Sequence, residues 1–224
     1  MKRIYLHPLP LRIWHWVNAL TVLLLLMTGL QFRLPGIAAF GPHNPTFAVH
    51  KWAGLAMTAL WFFWFVYGLA SGHLTRHYAI RKKDLGGIFG QMKFYLVSIF
   101  RGEPNPFLQS PEEKFNPLQK LAYGSVMGVF APLMMVTGLL FVNAFFMRGQ
   151  LLSWDAMKLI DSLHVAGLYI FAIFLVIHVY MATLGPTVFT HIKAMIVGYE
   201  EQPDEPGAVG VGEPSIPEMN EKKE

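Results

Sequence analysis

The chain is expected to fold as an all-α membrane protein, a four-helix transmembrane bundle with both termini cytoplasmic and a short amphipathic helix on the cytoplasmic surface. Three observations predict this. Of 224 residues, 54% are hydrophobic and only 14% charged, a balance that suits a polytopic membrane protein and not a soluble domain. Four apolar runs, 13–32, 47–70, 121–146 and 160–184, carry no Asp or Glu in their middles. Each reaches the roughly 20 residues that cross about 30 Å of hydrocarbon. Finally, Lys and Arg crowd into alternate connections: Lys2, Arg3 and Arg12 precede the first run, and Arg76, Arg81, Lys82, Lys83, Lys93, Arg101 and Lys114 lie in 71–116. The loops 33–46 and 147–159 offer only Arg33, Arg148 and Lys158, which places them outside and both termini in the cytoplasm.

The first run resembles a secretion signal in its basic flank, but it is long and lacks a small-residue cleavage site. Leu34-Pro35-Gly36 ends it, so it is expected to be a retained helix. The connection 71–116 is too polar to cross. Within it, Asp84 is expected to cap an amphipathic helix, Gly87 to Phe100, with Ile88, Phe89, Met92, Tyr95, Leu96 and Ile99 on one side. Residues 1–199 form the membrane domain. Beyond them, 200–224 hold eight of the fourteen acidic residues among Pro and Gly, the composition of a disordered acidic cytoplasmic tail. The formal charge of +4 follows from positive-inside topology and attraction to anionic lipid, and calls for no nucleic acid. Trp14, Trp16, Trp52 and Trp154 fall near helix ends, where interface anchoring is expected, while Trp61 and Trp64 lie deeper. No internal repeat stands out.

Four histidines, His15, His50, His164 and His178, sit within the four apolar helices. An imidazole in hydrocarbon is costly unless it is bonded to something. With the N-terminus inside, His15 and His178 lie near the cytoplasmic ends of the first and fourth helices, and His50 and His164 near the outer ends of the second and fourth. The fourteen residues from His164 to His178 rise about 21 Å and leave the two side chains within roughly 40° of each other. One helix face thus serves two stacked sites, 15/178 inside and 50/164 outside. Two b-type haems, each between two imidazoles, are the natural occupants. Gly29 lies fourteen residues after His15 and Gly68 eighteen after His50, each on the ligand face at the depth of the other site, where a missing side chain lets a porphyrin approach or helices pack closely. Zinc or proton pathways would bring carboxylates into the helix centres. His7, His43, His73, His77 and His191 are expected in solvated or interfacial places, His7 and His191 on the inner side with a possible protonation role.

Cysteine is absent, which excludes Fe–S clusters, c-type haem attachment and disulfides within this chain. Electrons from a substrate must therefore be extracted by another subunit. The polar stretch Lys114-Phe115-Asn116-Pro117-Leu118-Gln119-Lys120 falls at the cytoplasmic headgroup level. There Asn116 can hydrogen-bond a quinone carbonyl, and Lys120 or Lys114 can stabilise negative charge or a haem propionate. Equally, Asn116 can cap the third helix with Pro117 in its first turn.

Arg12-Ile13-Trp14-His15-Trp16, His50 with Gly54, the Lys114–Lys120 stretch, and His164 with His178 together resemble the di-haem cytochrome b subunits of membrane-bound formate dehydrogenases, nickel-iron hydrogenases and thiosulfate reductases. The resemblance covers roughly residues 9–195, and the Lys-x-Asn-x-x-Gln-Lys segment is most similar to the formate dehydrogenase and thiosulfate reductase branch. Pro117 and Leu118 depart from formate dehydrogenase relatives at that segment. The resemblance implies a subunit of the bacterial cytoplasmic membrane that links a periplasmic Fe–S or multihaem subunit, and its catalytic subunit, to menaquinone or ubiquinone. Its quinone site lies beside the cytoplasmic haem and uses Asn116. The rival expectation is a self-contained transmembrane reductase similar to cytochrome b561, against which the short outer loops argue.

Overall fold

A computed structural model describes residues 2–34, 36, 39–107, 109–146, 153–185 and 187–202. Pro35, Arg148 and the tail from 203 onward lie outside the described residues. Three spans are the continuous helices α1 (Leu9–Arg33), α2 (His43–Ala70) and α7 (Trp154–Ala182); one is interrupted, α5 (Pro117–Ser125) passing through a wide turn, Val126–Phe130, into α6 (Ala131–Phe146). Among the described residues, four helices are long and apolar enough to cross a membrane. α1 packs on α2 and α6 on α7, and contacts of α2 with α6 and α1 with α7 close the ring. Each span begins four to six residues before its apolar run, at Leu9, His43, Pro117 and Trp154. The hydropathy pattern marks the lipid-immersed length, whereas Asn116 and Ser153 cap polar first turns beyond it.

The wide turn in the third span has a local cause. Pro132 has no N–H for the α-helical ladder and its ring crowds the carbonyl four residues back. Here Ala131 N–H bonds to Val126 O, one residue further back than in an α-helix, and Met127 O is left without a helical donor. Trp61 Nε1 on α2 donates to that carbonyl at 2.7 Å, tying α2 to the third span at mid-depth. Trp14 behaves similarly: its Nε1 donates to Leu60 O at 2.8 Å and its ring stacks on Trp64. Trp14 thus faces the bundle and is no interface anchor. Trp16, by contrast, donates to Met195 O at 3.2 Å near the surface, and Trp52 and Trp154 are exposed.

Two elements were not legible in the sequence. β1 (Lys2–Tyr5) and β2 (Tyr199–Gln202) pair antiparallel, Lys2 opposite Gln202 and Tyr5 opposite Tyr199, so these two strands sit together at one end of the bundle. Glu200, Glu201 and Gln202, expected in the tail, are part of this strand, and 203–224 lie outside the described residues. α8 (Thr190–Val197) leads into this ribbon. Gly198, at φ 91°, turns the chain and its carbonyl accepts from Leu6 N and His7 N at 2.9 and 3.1 Å.

At the same end lie α3 (His73–His77) and the surface helix α4 (Lys82–Leu96). α4 begins five residues earlier than expected. Arg81 takes the cap position, and Asp84 stands in the first turn with its carboxylate accepting from Arg81 N at 2.8 Å. Asp84, Gln91 and Phe94 are buried, while Leu85, Phe89, Met92 and Leu96 are exposed. The helix turns Asp84 and Gln91 inward and an apolar face outward, as a helix lying on a bilayer requires, with Lys82, Lys83 and Lys93 exposed.

Candidate functional site

The four histidines meet in two pairs. The rings of His15 (α1) and His178 (α7) have centroids 6.2 Å apart, and so do those of His50 (α2) and His164 (α7). A buried apolar cluster of Met57, Trp64, Val126, Met127, Ala131 and Phe171 adjoins the pairs; Met57 and Phe171 stand seven residues along from His50 and His164, midway to the other level.

At the 50/164 pair, the surroundings repeat across the two histidines. Thr28 Oγ1 lies 2.7 Å from His50 Nδ1, and Thr137 Oγ1 lies 2.7 Å from His164 Nδ1. Each hydroxyl already donates to its own helix, Thr28 to Leu24 O and Thr137 to Leu133 O. The hydroxyl oxygens are therefore acceptors, both Nδ1 atoms carry the proton, and both Nε2 lone pairs are free. Gly29 and Gly138 follow the threonines; a Cβ at either would sit 3.7 and 3.5 Å from the Cε1 of His50 and His164. Phe32 and Phe141 then meet the two imidazoles edge-on at 5.5 and 5.7 Å.

Sequence reasoning missed these threonines although the signal was present: Thr28-Gly29-Leu30-Gln31-Phe32 and Thr137-Gly138-Leu139-Leu140-Phe141 are one pattern used twice. Thr28 and Thr137 are 0% and 3% exposed, so their polar atoms had to serve something inside. Gly29 fits its expected place at the 50/164 pair. Gly68 does not fit the porphyrin-facing expectation, because a Cβ there would lie 2.7 Å from Leu74 Cγ. It makes room for α3 folding back on α2.

The 15/178 pair is less enclosed by hydrogen bonds. His15 Nδ1 is buried without a partner, and Tyr123 OH approaches His178 Nδ1 at 3.5 Å. Phe174 stacks on His178 at 5.7 Å. No Nε2 of the four histidines has a hydrogen-bond partner among the described residues. A single metal between two imidazoles needs their nitrogens about 4 Å apart, with metal–nitrogen bonds of about 2 Å, and that separates ring centres by roughly 6 Å. The residues present fit a bis-histidine group at both levels.

Asn116 and Lys120 are both nearly closed off, at 2% and 1% exposure. Asn116 is the cap of α5, its Oδ1 accepting from Gln119 N at 2.8 Å, while Gln119 Oε1 accepts from Asn116 N at 3.1 Å. Its remaining amide N–H donates to Tyr95 OH at 3.0 Å. Lys120 Nζ lies 3.1 Å from Asp84 and 3.5 Å from Glu113, and Glu113 also holds Lys83 at 2.7 Å. Burial raises the Asp84 carboxyl, but the Arg81 N–H and Lys120 more than offset it and the net shift is downward. Glu113 is lowered chiefly by Lys83. Lys120 is thus committed to pinning α5 onto α4. Tyr95, overlooked as a candidate, is raised by burial, and its hydroxyl is hydrogen-bonded by Gln91 and by Asn116.

Among the other histidines, His191 Nδ1 contacts Glu200 at 3.3 Å. His7 is lowered to about 4 by burial and then by Lys114. His77, expected in a solvated place, is 3% exposed.

Four apolar spans holding two stacked imidazole pairs, with no cysteine, define a transmembrane cytochrome of the b type. The sequence model of the prokaryotic cytochrome b561 family matches residues 6–198, and the chain belongs to that family. It is a multi-pass bacterial membrane electron-transfer cytochrome with b-type haem. The chain is 36% identical over 201 residues to the Escherichia coli (strain K12) protein named "Putative cytochrome YdhU", covering 88% of this chain and 75% of that one. It is 25% identical over 229 residues to a protein of Azotobacter chroococcum mcd 1 named as a probable Ni/Fe-hydrogenase B-type cytochrome subunit, covering 90% and 91%. A protein of Bradyrhizobium diazoefficiens with the same name is 22% identical over 202 residues, covering 80% and 77%.

Proposed function

We propose that this chain is the membrane anchor and electron carrier of a respiratory complex. His50 and His164 hold an outer haem b, His15 and His178 hold an inner one, and the pair connects a periplasmic redox subunit to the quinone pool. The matched 6.2 Å separation of the two imidazoles within each pair carries this reading. When bound, the two haems supply one-electron carriers at two depths of the membrane.

The protein's own groups do the rest. Thr28 and Thr137 hold the Nδ1 protons of the outer histidines, which fixes the tautomer and turns Nε2 toward the gap. The names of the hydrogenase cytochrome relatives support a catalytic partner subunit, which fits a chain without cysteine. The orientation rests on the Lys and Arg crowded around 71–116 and the N-terminus. Quinone binds at the inner end, where Tyr95 donates its hydroxyl proton to a quinone carbonyl and Asn116 fixes the tyrosine from behind. Lys120 keeps α4 and α5 in register through Asp84 and Glu113. Reduction to quinol takes two electrons from outside and two protons from the cytoplasm, so turnover in that direction charges the membrane.

The decisive test is a reduced-minus-oxidised spectrum of the purified chain with a haem assay. Two haems b per chain are expected; one or none overturns the reading. Thr137→Val keeps the shape but removes the acceptor, and haem retention at the outer site should weaken by about 10–100-fold, whereas Thr137→Ser should restore it. Tyr95→Phe should raise the apparent KM for quinone roughly five- to tenfold, the value of about one hydrogen bond, with both haems retained. An unchanged KM would remove Tyr95 from the site.

A further inference from the structure

We propose that the cleft between the N-terminal segment, the end of α2, α3 and the loop preceding α5 is an oxyanion site that takes a carboxylate or a phosphate. The cavity is about 170 Å³ and is lined by His73, Arg76, His77 and Lys114, with Tyr67 and Ser71 at its wall. No carboxylate is among its lining residues. Lys114 is 7% exposed and makes no hydrogen bond or ion pair among the described residues. His77, 3% exposed, has an Nδ1 with no partner.

A buried ammonium is expensive unless a counter-charge and hydrogen bonds surround it. The fold meets that demand six residues away, where the equally buried Lys120 has Asp84 and Glu113. Around Lys114 it does not. The nearest acids are engaged elsewhere, Glu113 with Lys83 and Lys120 and Glu200 with His191; Glu112 acts on His77 only as a minor influence. The accumulated positive potential is visible in the neighbours. Lys114 is pulled down to about 8 by burial and Arg76, and His73 and His77 to about 3 and 4 by burial and Lys114. The Tyr67 hydroxyl, two imidazoles and two cations converging on one cavity make a donor set for oxygen anions, while Ser71 Oγ already donates to Tyr67 O at 2.7 Å.

Two sources deliver such an anion here. One is a propionate of the inner haem, reached through rings in contact: His77 to Phe115 at 6.4 Å, Phe115 to Tyr123 at 5.0 Å, Tyr123 to His178 at 6.0 Å. That source rests on the di-haem reading above. The other is the phosphate of an acidic phospholipid whose chains run along the exposed Val66 and Leu69 of α2.

The test uses the full chain in nanodiscs of phosphatidylcholine with phosphatidylglycerol, comparing wild type, Lys114→Gln and Lys114→Arg. Loss in Lys114→Gln of phosphatidylglycerol that wild type retains through detergent washing, read by native mass spectrometry and kept by Lys114→Arg, supports the site with lipid as the source. A lowered midpoint potential of the inner haem alone, with lipid retention unchanged, supports it with the propionate as the source. Unchanged lipid retention and unchanged potentials in a folded Lys114→Gln overturn the proposal. Should that variant not fold, Arg76→Gln, at an exposed position, carries the same readouts. A wild type without haem defeats the di-haem reading and leaves the lipid measurement to decide this one.

Discussion

His164→Ala is expected to halve the haem content, leaving one b-type centre per chain. The outer gap then has a single imidazole, and nothing else described there can replace the second. Thr137 is committed to Leu133 O, and Gly138 and Phe141 offer no lone pair. The inner pair is unaffected because the apolar layer around Met57 and Phe171 separates the two levels. The same centre should vanish in His50→Ala, and the other in His15→Ala and His178→Ala. Redox titration of the four variants checks this, since each survivor must keep the potential of one wild-type centre. Any other grouping of the variants, such as His164 with His15, overturns the pairing. Loss of the centre coupled to quinone in His164→Ala inverts the proposed orientation.

Lys120→Met should cost about 3–5 kcal/mol, because it leaves the buried Asp84 carboxylate without its counter-charge. The double variant Lys120→Met with Asp84→Asn should recover much of that loss, since replacing both charges removes the uncompensated one. Thermal unfolding of the detergent-solubilised chain reads both. The pH dependence has a definite sign. Asp84 and Glu113 titrate below their ordinary values in the folded chain. Their contribution is complete above the unfolded carboxylate range of about 4 and is lost as pH falls through the depressed folded values. Wild type should therefore lose stability in acid more steeply than the double variant; equal slopes would sink this account.

Periodicity carried the sequence reading far for this chain. Four apolar runs became four spans, and the fourteen-residue step from His164 to His178 placed one helix face at two depths. The Asn116 cap with Pro117 in the first turn was also legible, since capping is local. Contacts between distant segments were not. Lys120 and Asp84 are thirty-six residues apart, and no pattern in either neighbourhood announces that α4 turns its acid inward. Gly68 was ambiguous because its neighbour, Leu74, comes from a short helix that doubles back. The strand at Tyr199–Gln202 looked like the start of an acidic tail because composition cannot see a partner at the opposite terminus. The Thr-Gly-Leu-x-Phe pair escaped for another reason: it repeats across 109 residues at the scale of five, too short for a search that looked for repeated helices.

The layer between the imidazole pairs also decides what else crosses. Met57, Val126, Met127, Ala131 and Phe171 carry no exchangeable side-chain hydrogen. The threonines nearest it in depth, Thr21 and Thr58, return their hydroxyls to Val17 O and Gly54 O. Among the described residues, no file of donors and acceptors links one side of the layer to the other, and a hydrated ion finds no foothold there. An electron tunnels through such an insulator, whereas a proton needs a wire. On the di-haem reading proposed above, the bundle would pass electrons between its two levels while offering protons and ions no parallel path.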